Sequence, residues 1–311
     1  MKSNQTLFDI CIEGLRGLED ILEVYNPDLI VVQGDTTTAF IGALAGFYKK
    51  IKIAHIEAGL RSGNKLSPYP EEINRVLISH LADCHFAPTQ NAAKNLKNEN
   101  IQKNIWIVGN TGIDALFLGL QMIEQQNEED YRNFFSFLDF SKKIILVTGH
   151  RRESFGKPFE SICHALKQIA ERFEDVEIVY PVHLNPNVRK PVNHILKDIE
   201  RVHLIEPLAY PYLIWLLKNS YLVLTDSGGI QEEAPSLGKP VLVIRDVTER
   251  IEGIKAGTAK LVGTDQQKII NEASVLLTSK KRYQKIAKRN NPYGDGKTSK
   301  RIREIILKLQ Y

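Results

Sequence analysis

Apolar residues along this chain follow two alternating rhythms, the spacing of an amphipathic helix and the short continuous run of a buried strand. Leu7, Ile10, Cys11, Leu15, Leu18, Ile21 and Leu22 recur at helical spacing, which predicts an opening amphipathic helix. The run at 28–33 (DLIVVQ) suits a parallel strand buried on both faces. A small-residue helix is predicted over 37–49 and a strand over 51–56, followed by a long loop from Ala58 to Pro70. Helix 71–82, strand 84–87, helix 89–98, strand 104–108 and helix 111–126 complete the first half. Acidic and aromatic residues from Glu128 to Phe140 read as a linker. A second series opens at 143–148 (KIILVT), with further strands near 176–180, 201–205, 221–225, 240–244 and 258–262 and helices between them. Such alternation implies right-handed βαβ units and parallel sheets.

Two series in tandem point to an α/β protein of two Rossmann-like domains facing each other across a cleft. The expected domains are 1–140 and 141–296. The segment 297–311 carries a last helix, about 299–310, that is a candidate to pack back on the first domain. In such folds ligands bind at the C-terminal ends of the strands. The halves are unequal, with four strands before residue 140 and six after it. The first half also opens on a helix, where a doubly wound domain normally opens on a strand. An opening βαβ unit is therefore expected to be missing, unless the domain itself is unusual.

Composition narrows the class. The 311 residues are 43% hydrophobic and 25% charged, ordinary for a soluble globular protein. Their number allows two separate cores. Against 37 acidic residues stand 41 basic ones, a net +4 that suits an anionic substrate without calling for nucleic acid. The basic cluster from Lys280 to Arg289 reads as a solvated helix face. Cys11, Cys84 and Cys163 are sparse and unpaired in spacing, as expected in a reducing compartment. Apolar runs are strand-length, short of the roughly 20 residues a membrane helix needs. The first residues lack the apolar core of a signal peptide. A cytoplasmic protein with no membrane partner is expected.

The segment 221–244 (YLVLTDSGGIQEEAPSLGKPVLVI) carries the most chemistry. A strand runs into Asp226-Ser227-Gly228-Gly229 and then into a helix bearing Glu232 and Glu233. The N–H groups and dipole of a helix N-terminus favour an anion, and glycines let a phosphate approach the backbone. An acid one turn on could hold a ribose hydroxyl, so the segment reads as a nucleoside diphosphate site. The plainer alternative is a βαβ turn capped by Asp226 or Ser227.

Other strand ends carry acids and histidines. Asp35 follows one strand and is a candidate acid or a helix cap. Glu57 ends the next, and alternation puts it on the same side as His55. Its alternative role is an ion pair with Arg61. Asp35 and Glu57 would share a cleft and shift each other's pKa, as acid/base pairs need. Glu71 and Glu72 open a helix after Pro70, where acids also suit the dipole. His150, Arg151 and Arg152 follow the first strand of the second half and could clamp an anionic leaving group. His183 follows the next strand and is a weaker candidate. No common zinc spacing, P-loop, nicotinamide fingerprint or serine-hydrolase elbow occurs in the sequence.

Together the segments 34–38 (GDTTT), 55–61 (HIEAGLR), 67–75 (SPYPEEINR), 147–153 (VTGHRRE), 181–187 (PVHLNPN), 225–240 (TDSGGIQEEAPSLGKP) and 291–296 (NPYGDG) resemble the non-hydrolysing UDP-N-acetylglucosamine 2-epimerases. The resemblance runs along nearly the whole chain. It implies two Rossmann-like domains of the GT-B type, a homodimer, and no metal or redox cofactor. It places the catalytic acids on Asp35, Glu57 and Glu71 and the catalytic histidine on His150. Contacts to UDP fall on Ser227, Gly228, Gly229 and Glu233. In some bacterial members a second, regulatory UDP-N-acetylglucosamine is held at positions that correspond to Arg151 and His183. Two departures stand out. The family begins with a strand and a G-T-R-P-E loop whose arginine binds phosphates, and this sequence has neither. Leu213 stands where an aromatic ring often lies against uracil.

The implied reaction is epimerisation at C2 by elimination and re-addition of UDP, supplying cell-surface polysaccharide synthesis. A hydrolysing epimerase would use the same acids and release the free sugar. A GT-B glycosyltransferase would share the phosphate turn and leave C2 untouched. The missing first segment motivates a third reading, an inactive remnant.

Overall fold

The computed structural model describes residues 5–309. Its described part divides into two compact units. Each of the ten predicted strands is present, within one residue of its expected bounds.

The first unit comprises residues up to Thr111 together with those from Lys297 onward. It runs α1 (Leu7–Tyr25), β1 (Leu29–Gln33), α2 (Thr37–Tyr48), β2 (Lys52–Ile56), α3 (Glu71–Leu81), β3 (Cys84–Ala87), α4 (Gln90–Asn98) and β4 (Ile105–Ile107). A capping box starts α1: the Thr6 hydroxyl accepts the Asp9 N–H while the Asp9 carboxylate accepts the Thr6 N–H. Asn26, left-handed at φ 36°, ends that helix. Thr36 caps α2 through the Ala39 N–H. The four strands are parallel in the order β1-β2-β3-β4, so the order does not reverse within this sheet. One small cluster (Val32, Ala39, Ala43, Ile53, Ile78) joins β1, β2, α2 and α3. The opposite face of the sheet holds Ala54, Cys84 and Phe86, closed by Ile302, Ile305 and Ile306 of the helix at Thr298–Ile306.

The second unit spans Gly112–Gly296. Its strands are β5 (Lys143–Thr148), β6 (Val176–Pro181), β7 (Val202–Ile205), β8 (Leu222–Thr225), β9 (Val241–Val243) and β10 (Ala259–Leu261). Its helices are α5 (Thr111–Glu124), α6 (Glu128–Phe134), α7 (Lys157–Arg172), α8 (Pro186–Leu196), α9 (Tyr210–Asn219), α10 (Gly228–Ser236), α11 (Ile251–Ala256), α12 (Gln266–Thr278) and α13 (Lys280–Ala287); α14 is the helix at Thr298–Ile306. All six strands are parallel, in the order β10-β9-β8-β5-β6-β7. This is the doubly wound order, and it reverses between β5 and β8. Two large apolar clusters cover the two faces of the sheet.

The units divide at Thr111 rather than at residue 140. Leu116, Ile123, Tyr131, Phe135 and Leu138 belong to the core around Trp215, so α5 and α6 are walls of the second unit. The Phe135 and Trp215 rings stack at 5.2 Å. The expected linker at 128–140 therefore begins as a helix, capped by Asn127, and its Tyr131 and Phe135 are core. The basic face of α13 buries no side chain. The three cysteines are free. Among the described residues no helix is long and apolar enough to cross a membrane, and no cluster of His, Cys, Asp or Glu could hold a metal ion.

Candidate functional site

Strand order fixes where the second unit can bind a ligand. At a reversal the two neighbouring crossover connections leave in opposite directions, which opens a crevice at the carboxyl ends of the strands. The β5 end carries Thr148-Gly149-His150 and the β8 end carries Asp226-Ser227-Gly228. A cavity of about 330 Å³ lies there, lined among others by His150, His183, Tyr210, Ser227, Gly229 and Glu233. Leu213 lines it as well. Of the second-unit candidates, Gly228 and Arg151 are not part of that lining.

The two glycines do different work. A Cβ on Gly228 would stand 3.0 Å from the Arg250 guanidinium carbon and 3.2 Å from Glu249 Oε1. On Gly229 it would meet nothing within 4 Å. Gly228 is thus demanded by packing from below, and Gly229 leaves the backbone open on the cavity side. Neither alternative cap is used: Ser227 makes no side-chain cap bond to α10, and Asp226 is turned elsewhere. The Ser227 N–H instead donates to the Thr225 hydroxyl at 2.9 Å.

Beneath Gly228 lies a buried ionic network. Arg250 Nε donates to Glu232 at 2.8 Å and its Nη1 to Glu249 at 2.7 Å. Arg245, 1% exposed, joins Glu249 to Glu153. Glu232 is accordingly structural, while Glu233, on the next position of the helix, faces the cavity. The Tyr210 hydroxyl donates to Glu233 at 3.2 Å. Burial pushes the Glu233 carboxyl up to about 7, against the lowering effect of that hydrogen bond.

His150 and His183 line one cavity, their rings stacked at 5.2 Å and 12°. Burial pulls the His150 imidazole below its ordinary value; Asp226 and Glu153 push it up, Arg151 and His183 down. Arg151 is tied to the β8 end, donating from its backbone N–H to Asp226 at 2.8 Å.

In the first unit the acids gather around the β1 and β2 ends. The Gly34 N–H donates to Ile56 O at 3.0 Å, which joins the two turns. Glu57 stands just past β2 with φ 67°. This backbone is left-handed rather than extended, so strand alternation alone does not place the Glu57 side chain. His55 is fully buried, its Nε2 2.8 Å from Gly34 O, whereas the Glu57 carboxylate reaches the space over Gly34, 3.7 Å from where a Cβ would lie. Such a conformation in a non-glycine residue is uncommon, and strain of this kind concentrates at functional sites. Arg61 does not pair with Glu57. It makes a two-pronged bond to Glu99, at 2.7 and 2.6 Å.

Asp35 is not the cap of α2, since Thr36 has that role. Its Oδ2 takes Arg75 Nε at 2.7 Å and Arg75 Nη2 at 2.5 Å. Arg75, 1% exposed, also holds Glu72 at 2.8 Å, and Glu72 in turn accepts the Ser62 and Gly63 N–H groups. Asn74 donates to Asp35 O at 2.9 Å. Through these bonds α3 is fastened to the Asp35 turn. Glu71, the first residue of α3, is half-buried. Sequence reasoning passed over Arg75, although its i,i+3 spacing from Glu72 was a usable signal. It also missed Tyr210, Arg245 and Arg250, which carried no local signal.

Comparison with known proteins follows the same lines. A family model described as UDP-N-acetylglucosamine 2-epimerase matches residues 1–307. The UDP-N-acetylglucosamine 2-epimerase of Escherichia coli (strain K12) is 51% identical over 309 residues, 98% of this chain and 82% of that protein. The crystal structure of UDP-GlcNAc 2-epimerase from Neisseria meningitidis bound to UDP-GlcNAc superposes with a TM-score of 0.97 at 46% identity, over 99% of this chain and 84% of the other. The Methanocaldococcus jannaschii enzyme in complex with UDP-GlcNAc and UDP gives 0.85 at 37% identity, over 98% and 82%.

Proposed function

The chain belongs to the UDP-N-acetylglucosamine 2-epimerase family, and on that premise we propose that it interconverts UDP-N-acetylglucosamine and UDP-N-acetylmannosamine. The observation that carries this reading is the cavity at the β5–β8 reversal, where an open glycine turn, a histidine and a ribose-sized acid converge. Ser227, the Gly228 and Gly229 backbone and the α10 dipole receive the diphosphate. Glu233, oriented by Tyr210, accepts the ribose hydroxyls. Leu213 lines the same cavity as an apolar surface for the base.

The sugar's C2–H is a weak acid, so a positioned base must take its proton as the C1–O bond breaks. UDP leaves with the bonding pair and a 2-acetamidoglucal remains. Re-addition of UDP at C1 with protonation of C2 from the opposite face gives the epimer. Inversion needs acid/base groups for both faces, and Asp35, Glu57 and Glu71 are the groups we assign. The oxygen of Asp35 that Arg75 does not engage is the one available for proton transfer. His150 and Arg151 answer the charge that develops on the departing diphosphate. The reading requires no metal or redox cofactor. It also carries a homodimer, a cytoplasmic location, and a regulatory UDP-N-acetylglucosamine held by Arg151 and His183.

Turnover of UDP-N-acetylglucosamine in D₂O tests the chemistry by proton NMR. Deuterium is expected at C2 of the product, with the UDP linkage intact. Retention of the original hydrogen would sink elimination, and accumulation of free N-acetylmannosamine with UDP would favour a hydrolysing enzyme. Transfer of the sugar with C2 unchanged would mark a glycosyltransferase.

A further inference from the structure

The Asp226 side chain makes contacts that neither a helix cap nor a diphosphate cradle explains. It is 2% exposed at the end of β8. Its Oδ2 accepts the backbone N–H groups of His150 and Arg151 at 2.6 and 2.8 Å, across the reversal point of the sheet. The β5 and β8 ends are further laced together by the Asp226 N–H to Thr148 O at 3.1 Å and by the Thr148 and Thr225 hydroxyls at 2.6 Å. Oδ1 is buried and makes no hydrogen bond of ordinary length. His150 Nδ1 lies 3.5 Å from it.

A buried carboxylate oxygen without a partner is costly, and a shift of a few tenths of an ångström in the His150 ring would satisfy it. The ring is already restricted on another side. His183 Nδ1 accepts the Asn185 N–H at 3.1 Å, so a neutral His183 carries its proton on Nε2 and stacks flat on His150. The charged and titratable groups facing His150 are thus Asp226, Arg151, Glu153 and His183.

We propose that Asp226 is the positioning residue of His150: it fixes the loop through two backbone N–H groups and holds the imidazole in the tautomer protonated at Nδ1. Nε2 is then the nitrogen that takes up or gives a proton at the ligand. When Nε2 gains a proton the imidazolium stands beside a carboxylate, and when it loses one the original tautomer returns. The inference rests on the epimerase reading only for its kinetic consequence; the tautomer itself is a property of the protein alone.

Asp226→Asn separates orientation from charge. The amide oxygen can keep both backbone N–H bonds, which leaves the NH₂ group facing Nδ1. A donor there forces the neutral His150 proton onto Nε2. Long-range proton–nitrogen NMR of the full chain at pH 8, with His150 assigned from the His150→Asn variant, should show Nδ1–H in the natural protein and Nε2–H in the variant. Turnover should fall roughly 10²-fold or more with UDP affinity by calorimetry nearly unchanged. In a His150→Asn background the same change should cost nothing further. An unchanged tautomer overturns the proposal, and so does an equal loss of turnover in both backgrounds, which would mark Asp226 as a support for the loop alone. If the natural protein shows no epimerisation, the function fails while the NMR result still decides the tautomer.

Discussion

The two units are built from the same βαβ repeat and held together differently. In the second unit a six-stranded sheet is sandwiched between two large apolar clusters, and Trp215, Phe159 and Tyr180 are essentially fully buried. In the first, among the described residues, the core is broken into small clusters around four strands, and the edge strand β1 leaves Val31 48% exposed. Its acids are fastened by ions instead, with Arg75 spanning Asp35 and Glu72. Buried histidines replace apolar residues at the registered pair His55 and His85. The second unit also owns a buried ionic network, but there it underlies one turn of a large core. The contrast teaches that the candidate acids Asp35, Glu57 and Glu71 stand on the less apolar scaffold, so their geometry and their unit's stability depend on the same few polar residues.

The chain has one tryptophan in each unit, Trp106 stacked on Phe86 and Trp215 on Phe135, so the comparison can be tested unit by unit. Arg75→Ala should have the largest effect. It strands two carboxylates that the fold arranged around a cation, a loss of about 3–5 kcal/mol for a buried pair broken on one side. In urea the Trp106 transition should move to lower concentration while the Trp215 transition stays. Equal movement of both would erase the distinction between the units.

Acid should act next. Burial holds His55 down to about 3 and His85 to about 4. The unfolded chain binds protons at these positions below about pH 6.5, and the folded unit does not. Their contribution is therefore whole above pH 6.5 and declines as pH falls toward 3. Fluorescence of single-tryptophan variants should show the Trp106 region unfolding at higher pH than the Trp215 region. Coincident acid transitions would contradict the assignment.

Much of this was readable in the sequence, and the unreadable part has a common cause. Strands showed themselves because a parallel strand covered on both faces must be continuously apolar, as in KIILVT at 143–148. Asp35, Glu57 and the turn at 227–229 were legible as motifs at strand ends, and Glu71 as an acid opening a helix. Ion pairs between distant positions were not: Arg250 meets Glu232 across 18 positions, and Arg75 meets Asp35 across 40. The boundary at residue 140 failed because acidic and aromatic composition masks α6, whose Tyr131 packs on Trp215. The direction of Glu57 was not legible for a backbone reason, since alternation holds only while the chain stays extended and its φ is 67°.

Smaller effects sharpen the picture of the second unit. Gly228→Ala should destabilise it by about 1–3 kcal/mol, because the methyl group meets Arg250 from above. Gly229→Ala should leave the Trp215 transition in place and weaken UDP binding. Interchanged outcomes would mean that the open side of the turn has been misassigned. Glu233→Gln should have the least effect on stability, and its sign is informative. A carboxyl raised to about 7 favours the fold while protonated and loses that advantage as pH rises through 7. The ligand-free variant should therefore melt a few degrees higher than the natural protein at pH 8, consistent with about 1 kcal/mol in a unit of this size, and at the same temperature at pH 4. A lower melting temperature at pH 8 would place Glu233 among structural acids.

The proposed division of labour between the units is tested most directly by measuring UDP affinity and C2 deuterium incorporation together, in Asp35→Asn and in Glu233→Gln. Asp35→Asn is expected to bind UDP as the natural protein does and to lose roughly 10²–10⁴ in the rate of deuterium incorporation. Glu233→Gln is expected to bind UDP more weakly and to incorporate deuterium at a near-normal rate once substrate is saturating. Near-normal incorporation by Asp35→Asn, or its failure to bind UDP, would contradict the account.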